Sequence, residues 1–304
     1  MPELPEVETI ARGLAKRVTG DVIESIWLGQ KKEPLKSSAR EIAAAVEHRR
    51  IAAVRRMGKH IVLDLDGVGR DLAAAGPKKT RGVAADGTPR TVKDSTGSER
   101  NVPATRAQWI VHLGMTGRLQ VCDPNEEVAK HTHAIAKLAS GRELRFVDPR
   151  RFGRISVTTS EEFDATGIEP LEIDTDHFVE LFRGRKTPIK SALLNQRLLR
   201  GVGNIYADES LFRAGIRPRR RASSIKREQL RRLALQVKEV LKEAIALGGS
   251  SVSDYVNADG EAGFFQLEHR VYGREGEPCL VCTTPVKRVV IAGRSSHYCP
   301  KCQK

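Results

Sequence analysis

Two pairs of cysteines near the end of the chain limit its fold more than any other feature. Cys279 and Cys282 form one Cys-x-x-Cys pair, and Cys299 and Cys302 form a second after sixteen intervening residues. Two such pairs at this separation are typical of a four-thiolate tetrahedral zinc site in a zinc ribbon or finger. Four cysteine ligands leave no open coordination position, so the zinc is expected to be structural. A pair of disulfides is the alternative.

The charge balance predicts a polyanionic partner. The sequence has 52 Lys+Arg against 38 Asp+Glu, a formal net charge of +14 at pH 7. A charge of this size on a globular chain favours nucleic acid, because cations neutralise phosphates and release their counterions. Lys287, Arg288 and Arg294 lie between the cysteine pairs, so the finger is expected to present cations to phosphates. A soluble basic protein without such a partner is the alternative.

The sequence carries no signal for secretion or for a membrane. Its first twenty residues are charged throughout and lack the apolar central run of a signal peptide. No stretch approaches the ~20 apolar residues of a membrane span. Without secretion signals, paired cysteines favour a metal over disulfides. We therefore expect an intracellular protein, and we expect the lone Cys122 to be a small buried hydrophobic residue.

Apolar spacing divides the chain into a β-rich part and a helical part. Residues 5–18 have helical spacing, with Pro5 in the first turn. Short β-branched runs separated by turn residues then predict an antiparallel sandwich or barrel. These runs are 22–28, 60–65, 109–113, 133–138, 145–147 and 154–159. From about residue 168 the spacing becomes helical, in 187–199, 204–215 and an amphipathic segment that ends at Gly248-Gly249.

Residues 67–107 interrupt the strand pattern. This stretch contains no aromatic residue and is rich in Gly, Pro, Thr and charge. It cannot bury enough apolar surface to offset the entropy lost on ordering, so it is expected to be a mobile basic insertion. An unspecific phosphate-binding role is the alternative.

The chain begins MPELPEVETI, and its second residue can carry chemistry. Methionine is usually removed before proline, which would leave Pro2 with a free secondary amine. An α-amino group titrates near ~7.7–8.0, so a fair fraction is neutral and nucleophilic at neutral pH. Such an amine can attack a sugar carbon and form an iminium, and Glu3 and Glu6 are available to transfer protons. A helix cap without chemistry is the alternative.

Three loops contain residues suited to DNA. Gly201-Val-Gly203-Asn204 lies between two helical segments, where backbone amides of a helix start can bind phosphate; an ordinary helix corner is the alternative. Residues 112–117 and 148–153 carry Met115, Arg150 and Phe152 on turns. Exposed side chains of this kind can enter a base stack. For Met115 and Phe152, a place in the core is the alternative.

Together the motifs resemble one family from the first residue to the last, apart from the insertion. They are MPELPEVET, RRMGKH (55–60), HLGMTG (112–117), DPRRFG (148–153), GVGNIYADE (201–209), and VYGREGEPC with the cysteine pairs. In this order they resemble the formamidopyrimidine-DNA glycosylases, bacterial enzymes that remove oxidised purines such as 8-oxoguanine. The resemblance implies a bifunctional DNA glycosylase and AP lyase of base excision repair. It would act as a monomer on duplex DNA at the bacterial nucleoid, with one structural zinc ion and no organic cofactor.

The resemblance also implies a two-lobed α+β fold. Residues 1–160 would form a catalytic β-sandwich with flanking helices, and 168–268 a DNA-binding helix–two-turns–helix domain. Residues 269–304 would form a β-hairpin zinc finger. The family normally joins the strands at 60–65 and 109–113 by a short turn, so about forty residues are extra here. Residues 257–265 resemble the mobile loop that closes over the extruded base.

The resemblance also implies roles for individual residues. Pro2 would form the Schiff base with C1′ of deoxyribose, and Glu3 would transfer protons there with support from Glu6. Lys59 would serve proton transfer in elimination, and Arg294 the second, δ, elimination. The side chains that fill the gap left by the flipped nucleotide would be those of Met115, Arg150 and Phe152. Phosphate and backbone contacts would come from His112, His131, Arg151, Lys186, Lys190, Asn204 and Tyr272.

Two rival functions remain at this point. Endonuclease VIII-like glycosylases share the fold and the proline chemistry but prefer oxidised pyrimidines. They typically have glycine where this chain has Leu4, and they usually lack DPRRFG. A non-catalytic zinc-ribbon DNA-binding protein would explain the charge and the cysteines, but it would leave Pro2, Glu3 and Lys59 without a role.

Overall fold

The computed structural model describes residues 2–31, 33–67, 106–159, 162–251 and 262–304. The predicted insertion therefore lies outside the described residues except at its two ends, and so does most of the predicted loop at 257–265. In the part of the chain that is described, no helix is long and apolar enough to cross a membrane.

The first helix, α1 (Leu4–Val18), forms where the apolar spacing predicts it. Glu3 is its N-cap, and the Glu6 side chain accepts a hydrogen bond from the Glu3 backbone N–H at 2.7 Å, which fixes the first turn. Val7 and Ile10 pack in the core of the β-sheet, whereas Leu4 packs in a second, helical core. The first turn of α1 therefore joins two hydrophobic cores.

The eight strands that are described in the N-terminal part form one antiparallel sheet that folds into a sandwich. Its order is β5-β7-β6-β1-β2-β3-β4-β8. The strands are β1 (Val22–Leu28), β2 (Arg49–Met57), β3 (His60–Gly67), β4 (Ala107–His112), β5 (Arg118–Cys122), β6 (Thr132–Leu138), β7 (Glu143–Val147) and β8 (Arg154–Thr158). Strands β1 and β2 share only two residue pairs, and residues of both halves of the sheet line one core. The predicted sandwich is confirmed.

The sequence pattern did not predict three elements of this sandwich. Strand β2 has the sequence RRIAAVRRM, in which only Ile51 and Val54 are buried. Because four of its nine residues are arginines, the strand lacks the alternation of apolar and polar residues that would predict it. Strand β5 and helix α2 (Ala39–Val46) are short. The signal for α2 is its capping box, in which Ser38 accepts from the Glu41 N–H and the Glu41 carboxylate accepts from the Ser38 N–H.

The C-terminal part is helical and ends in a hairpin. Its elements are α3 (Thr175–Phe182), α4 (Ile189–Leu193), α5 (Asn204–Arg213), α6 (Arg227–Ala246), β9 (Lys287–Ile291) and β10 (Arg294–Tyr298). Helix α4 stops well before the end of the predicted helical segment 187–199. The Asn195 side chain accepts from the Arg197 N–H, and the Asn195 carbonyl accepts from the Leu198 N–H, so the chain turns there. The resulting two-lobed fold with a terminal hairpin confirms the predicted class.

A buried ion network joins the two lobes beside the turn between β2 and β3. Arg56 donates to both oxygens of Glu169 at 3.0 Å and to Glu8 of α1 at 2.7 Å. The Arg200 guanidinium lies 3.5 Å from the same Glu169 carboxylate and packs against Gly58. Gly58 has φ +59°, a conformation that favours glycine. These contacts fix the position of the next residue, Lys59.

Candidate active site

Pro2 lies buried at the start of α1, where the two lobes meet. The adjoining turn holds it there, because the Leu4 N–H donates to the Gly201 carbonyl at 3.0 Å. Gly201 has φ +90°, and a Cβ on it would come within 2.8 Å of the Leu4 side chain. The glycine turn ahead of α5 therefore lets the chain terminus approach closely.

The Glu3 carboxylate lies buried against the first turn of α5. Its Oε1 accepts a hydrogen bond from the Ile205 N–H at 3.3 Å. Its Oε2 is buried and has no hydrogen-bond partner among the residues described. A Cβ on Gly203 would overlap this carboxylate, so only glycine fits there. Burial raises the pKa of Glu3 to about 7, against the lowering influence of Lys59. Glu3 can therefore give or take a proton near neutral pH.

Glu6 is buried beside Glu3, but its oxygens are already engaged. Its Oε2 accepts from the Glu3 N–H, and its Oε1 accepts from the Ser250 N–H at 2.8 Å and from the Tyr206 hydroxyl. Burial raises the pKa of Glu6, while these hydrogen bonds lower it. Glu6 thus ties α1 to α5 and to the segment that leads into the undescribed residues 252–261.

Lys59 lies in the turn between β2 and β3 and is half-buried. Burial lowers the pKa of its ammonium, the charges of Glu3 and Glu6 raise it, and Arg294 lowers it further. Arg294 is exposed at the start of β10. Glu3, Glu6 and Arg294 all lie within electrostatic reach of Lys59, so the predicted catalytic residues lie close to one another.

The four paired cysteines form a structural zinc site. Their Sγ atoms all lie within 4.8 Å of one another, with 3.9 Å between Cys279 and Cys302 and 3.5 Å between Cys282 and Cys299. A tetrahedral site with Zn–S bonds of ~2.3 Å requires sulfur separations of ~3.8 Å, so the donor set fits zinc. Cys122, in contrast, is half-buried in β5, and burial raises the pKa of its thiol.

The three predicted wedge residues lie on two loops that Asp148 holds together. The Asp148 carboxylate accepts from the Thr116 hydroxyl at 2.6 Å and from the Gly153 N–H at 2.7 Å. Met115 is 39% exposed and Phe152 is 48% exposed, so neither is a core residue. The Arg150 guanidinium lies 5.0 Å from the centre of the Phe152 ring. The arrangement presents one cation and two apolar side chains to solvent.

The predicted phosphate-contact residues differ in exposure. His131, Arg151 and Lys186 are exposed, and His112, Asn204 and Tyr272 are partly buried. Burial lowers the pKa of His112 to about 4, so its imidazole is neutral at pH 7, and its Nδ1 accepts from the Gly114 N–H at 3.1 Å. The buried Oδ1 of Asn204, the first residue of α5, is without a partner in the described part of the chain.

Lys190 does not match the prediction of a phosphate contact. Its side chain is fully buried, with Nζ 2.7 Å from Asp208 Oδ1 and donating to the Ser295 carbonyl at 2.6 Å. A buried ammonium that is already paired cannot reach a phosphate, so Lys190 holds helices and hairpin together instead. Sequence reasoning also missed Tyr206 and Ser250 as partners of Glu6, because neither is near it in the sequence.

Comparison with known proteins gives full-length matches. Three family models match: "Formamidopyrimidine-DNA glycosylase N-terminal domain" at residues 1–155, "Formamidopyrimidine-DNA glycosylase H2TH domain" at 166–256, and "Zinc finger found in FPG and IleRS" at 276–304. A curated relative from Solibacter usitatus named formamidopyrimidine-DNA glycosylase is 43% identical, with 100% of both chains covered. A Nocardia farcinica relative of the same name is 38% identical and covers 100% of this chain and 98% of its own.

Three solved structures of two proteins show the same fold. The MutM (FPG) protein of Thermus thermophilus has a TM-score of 0.77 at 38% identity, covering 99% of this chain and 98% of its own. The Lactococcus lactis FPG (MutM) in complex with Fapy-dG-containing DNA has a TM-score of 0.80 at 28% identity, covering 99% and 100%. Another complex of the L. lactis protein contains an oxidised-pyrimidine DNA, with a TM-score of 0.80 at 28% identity and 100% of both chains covered.

Proposed function

The chain belongs to the formamidopyrimidine-DNA glycosylase family, and on this premise we propose that it excises oxidised purines from duplex DNA and then cleaves the strand. Its substrates would be 8-oxoguanine and formamidopyrimidines, within base excision repair. The observation that carries the proposal is the buried Glu3 carboxylate, with a pKa of about 7, next to Pro2 and within the field of Lys59. This arrangement supplies a nucleophile, a proton donor and a cation at one place.

The first step uses Pro2 and Glu3. The neutral amine attacks C1′ of the damaged nucleotide, the C1′–N bond breaks, and the base leaves with that electron pair and takes up a proton. Glu3, protonated to a large extent near pH 7, protonates the ring oxygen O4′ as the sugar opens. Loss of the proton on the proline nitrogen and opening of the ring give the iminium at C1′. Glu6 orients Glu3 by accepting its backbone N–H.

Strand cleavage follows in two eliminations. The iminium acidifies the C2′ protons; one is removed, and the 3′ phosphate departs with the C3′–O electrons. Removal of a C4′ proton then expels the 5′ phosphate by cleavage of C5′–O. We assign proton transfer in these steps to Lys59, whose pKa burial lowers. Arg294 supplies a cation for the departing phosphate in the second elimination.

DNA would occupy the basic face between the lobes. Met115, Arg150 and Phe152 would fill the gap left by the flipped nucleotide, where a few kcal/mol of unstacking must be offset. His112, His131, Arg151, Lys186, Asn204 and Tyr272 would contact the sugar-phosphate backbone as donors. We also propose that the protein acts as a monomer at the bacterial nucleoid, with domain limits at 1–160, 168–268 and 269–304.

One experiment tests the reaction and its substrate class together. The protein is incubated with a duplex that contains 8-oxoguanine opposite cytosine, reduced with borohydride, and digested for mass spectrometry. We expect a covalent adduct on Pro2, and faster trapping than with a matched 5-hydroxyuracil duplex. Faster trapping on 5-hydroxyuracil would support the pyrimidine-specific alternative, and the L. lactis relative bound to oxidised-pyrimidine DNA makes this comparison necessary. Absence of any adduct at Pro2 would reject the mechanism.

The pKa of Glu3 predicts a bell-shaped pH dependence for trapping. Glu3 is mainly protonated below its pKa of about 7 and ionised above it. The Pro2 amine is mainly neutral only above ~7.7–8.0. The single-turnover trapping rate, measured from about pH 5.5 to about 9, should therefore peak between the two values and fall on both sides.

Glu3→Gln should slow trapping. The pH profile of its trapping rate should show one ionisation, that of the amine, because glutamine does not titrate. Glu228→Gln removes an exposed carboxylate of α6 and should keep the bell shape. The assignment fails if the profile is unchanged in Glu3→Gln.

The close approach of Gly203 to Glu3 predicts a sensitive position outside the predicted catalytic set. Gly203→Ala would place a Cβ where the Glu3 carboxylate lies, and the carboxylate would have to move. We expect single-turnover strand cleavage to fall by about 10²-fold, as for other misplaced catalytic groups, with a smaller change in DNA affinity. Gly67→Ala is the matched control, because a Cβ there has no neighbour within 4 Å among the described residues. Equal cleavage rates in the two variants would contradict the prediction.

A further inference from the structure

Asp208 is a fully buried carboxylate that the reaction described above does not use. A buried charge is costly unless it is paired and hydrogen-bonded. Its Oδ1 lies 2.7 Å from Lys190 Nζ. Its Oδ2 accepts from the His297 N–H at 2.9 Å and lies 3.4 Å from His297 Nδ1. One carboxylate on α5 thus holds a lysine of α4 and a histidine of β10.

Both contacts converge on the strand that begins with Arg294. Lys190 Nζ, held by Asp208, donates to the carbonyl of Ser295, the residue after Arg294. The backbone of His297 is bound to Asp208 directly. Two of the four residues that follow Arg294 in β10 are therefore anchored to the helical core.

The zinc site cannot provide this anchor. Its ligands Cys279, Cys282, Cys299 and Cys302 lie beyond the far end of the hairpin, whereas Arg294 directly follows the turn at the tip. An isolated two-stranded hairpin is at best marginally stable in water. The tip of the hairpin therefore needs a second attachment if Arg294 is to keep a fixed position.

The neighbouring Glu209 fixes the other end of the finger. Its carboxylate accepts from the N–H groups of Arg270, Val271 and Tyr272 at 2.9–3.1 Å, where the chain enters the finger. Near the N-terminal end of the same helix, Ile205 donates to Glu3. Helix α5 therefore sets the distance between the Glu3 site and the hairpin, and Asp208 is its link to the strand of Arg294.

We propose that Asp208 is a positioning residue for Arg294. With Lys190 and His297 it fixes the start of β10, so that the guanidinium keeps its position and reaches the departing 5′ phosphate. The inference rests on the proposed function, in which Arg294 assists the second elimination. It predicts that loss of Asp208 slows that elimination and spares the earlier steps, because Pro2 and Glu3 are held by α1 and the glycine turn.

The test compares Asp208→Asn with Arg294→Ala and the unchanged enzyme, all zinc-loaded and full-length, on a duplex with an abasic site. Borohydride trapping reports the iminium, and gel separation of the β- and δ-products over time reports the second elimination. Asp208→Asn should slow conversion of β- to δ-product by about 10- to 100-fold, the cost of displacing a catalytic group. Trapping should change by less than ~3-fold, since its residues do not contact Asp208. Glu228→Gln, an exposed change of the same charge, should match the unchanged enzyme.

Two further measurements separate positioning from general damage. Combining Asp208→Asn with Arg294→Ala should slow the second elimination no more than Arg294→Ala alone, because both act through one group. His297→Phe keeps an aromatic ring and the backbone hydrogen bond to Asp208 but removes the ring nitrogens, one of which lies 3.4 Å from Asp208. It should therefore give a smaller defect of the same kind, and it tests the inference should Asp208→Asn not fold. The inference would be overturned if trapping and δ-product were lost equally, or if the second elimination ran at the normal rate in both Asp208→Asn and His297→Phe. If Arg294→Ala itself forms δ-product normally while Pro2 still traps, the assignment of Arg294 is wrong, and the positioning inference is overturned with it.

Discussion

Placing one glycine ahead of Pro2 is expected to abolish strand cleavage and trapping at Pro2, because the proline nitrogen becomes an amide without a nucleophilic lone pair. We expect a loss of at least ~10⁴-fold in the single-turnover rate, the order seen when a covalent nucleophile is removed. The new amine lies one residue further along the chain from Glu3 than the proline nitrogen does, and the hydrogen bond from Leu4 to Gly201 holds the adjoining turn in place. Mass spectrometry of the reduced complex identifies whichever nitrogen reacts.

Pro2→Gly is the matched control for this extension. It keeps a free terminal amine at the same position in the chain, and a primary amine also forms an imine with a sugar aldehyde. Trapping should therefore persist in Pro2→Gly and disappear in the extended variant. If the extended variant cleaves DNA at the normal rate, the terminus is not the nucleophile and the mechanism is wrong.

Loss of a zinc ligand should have the second-largest effect. Cys299 is fully buried in a small cluster with Phe212 and Val271, and this cluster is separate from the core of the sandwich. Structural zinc supplies about 10–16 kcal/mol to such modules, which are unfolded without the metal. Cys299→Ser should therefore release the zinc and unfold the β9–β10 hairpin with Arg294, while the sandwich stays folded.

The measurements for this variant are zinc content, DNA affinity and product analysis. We expect the zinc to fall to background, the affinity for damaged duplex to fall by about 10²-fold or more as phosphate contacts are lost, and δ-product to disappear. Cys122→Ser removes a thiol in β5 that is outside the zinc cluster and should match the unchanged enzyme. Normal DNA binding by zinc-free Cys299→Ser would show that the finger does not contribute to the interface.

Much of the fold followed from patterns that are local in the sequence. Helix α1, the zinc ligands and most strands could be predicted because spacing along the chain fixes which side chains share a face or a metal. Strand β2 could not, since five of its nine residues are charged or exposed and its burial depends on α1 and the Glu169 network. The end of α4 at Leu193 depended on a side-chain hydrogen bond of Asn195, which competes with the helix.

The features of the candidate site can be divided in the same way, into those that the sequence identifies and those that depend on the fold. The sequence identified Pro2, Glu3 and the four cysteines as candidates, because a terminal amine, the acid beside it and paired thiols form local patterns. Lys59 and Arg294 were identified through the family resemblance of the motifs around them. The packing of the folded chain raises the pKa of Glu3 to about 7, holds Glu6 by Tyr206 and Ser250, and pairs Lys190 with Asp208. Burial and pairing join residues as far as 244 positions apart, as in the hydrogen bond from Ser250 to Glu6. Such environments arise only when α1, α4, α5 and the segment at Ser250 come together in the fold, so no local pattern can contain them.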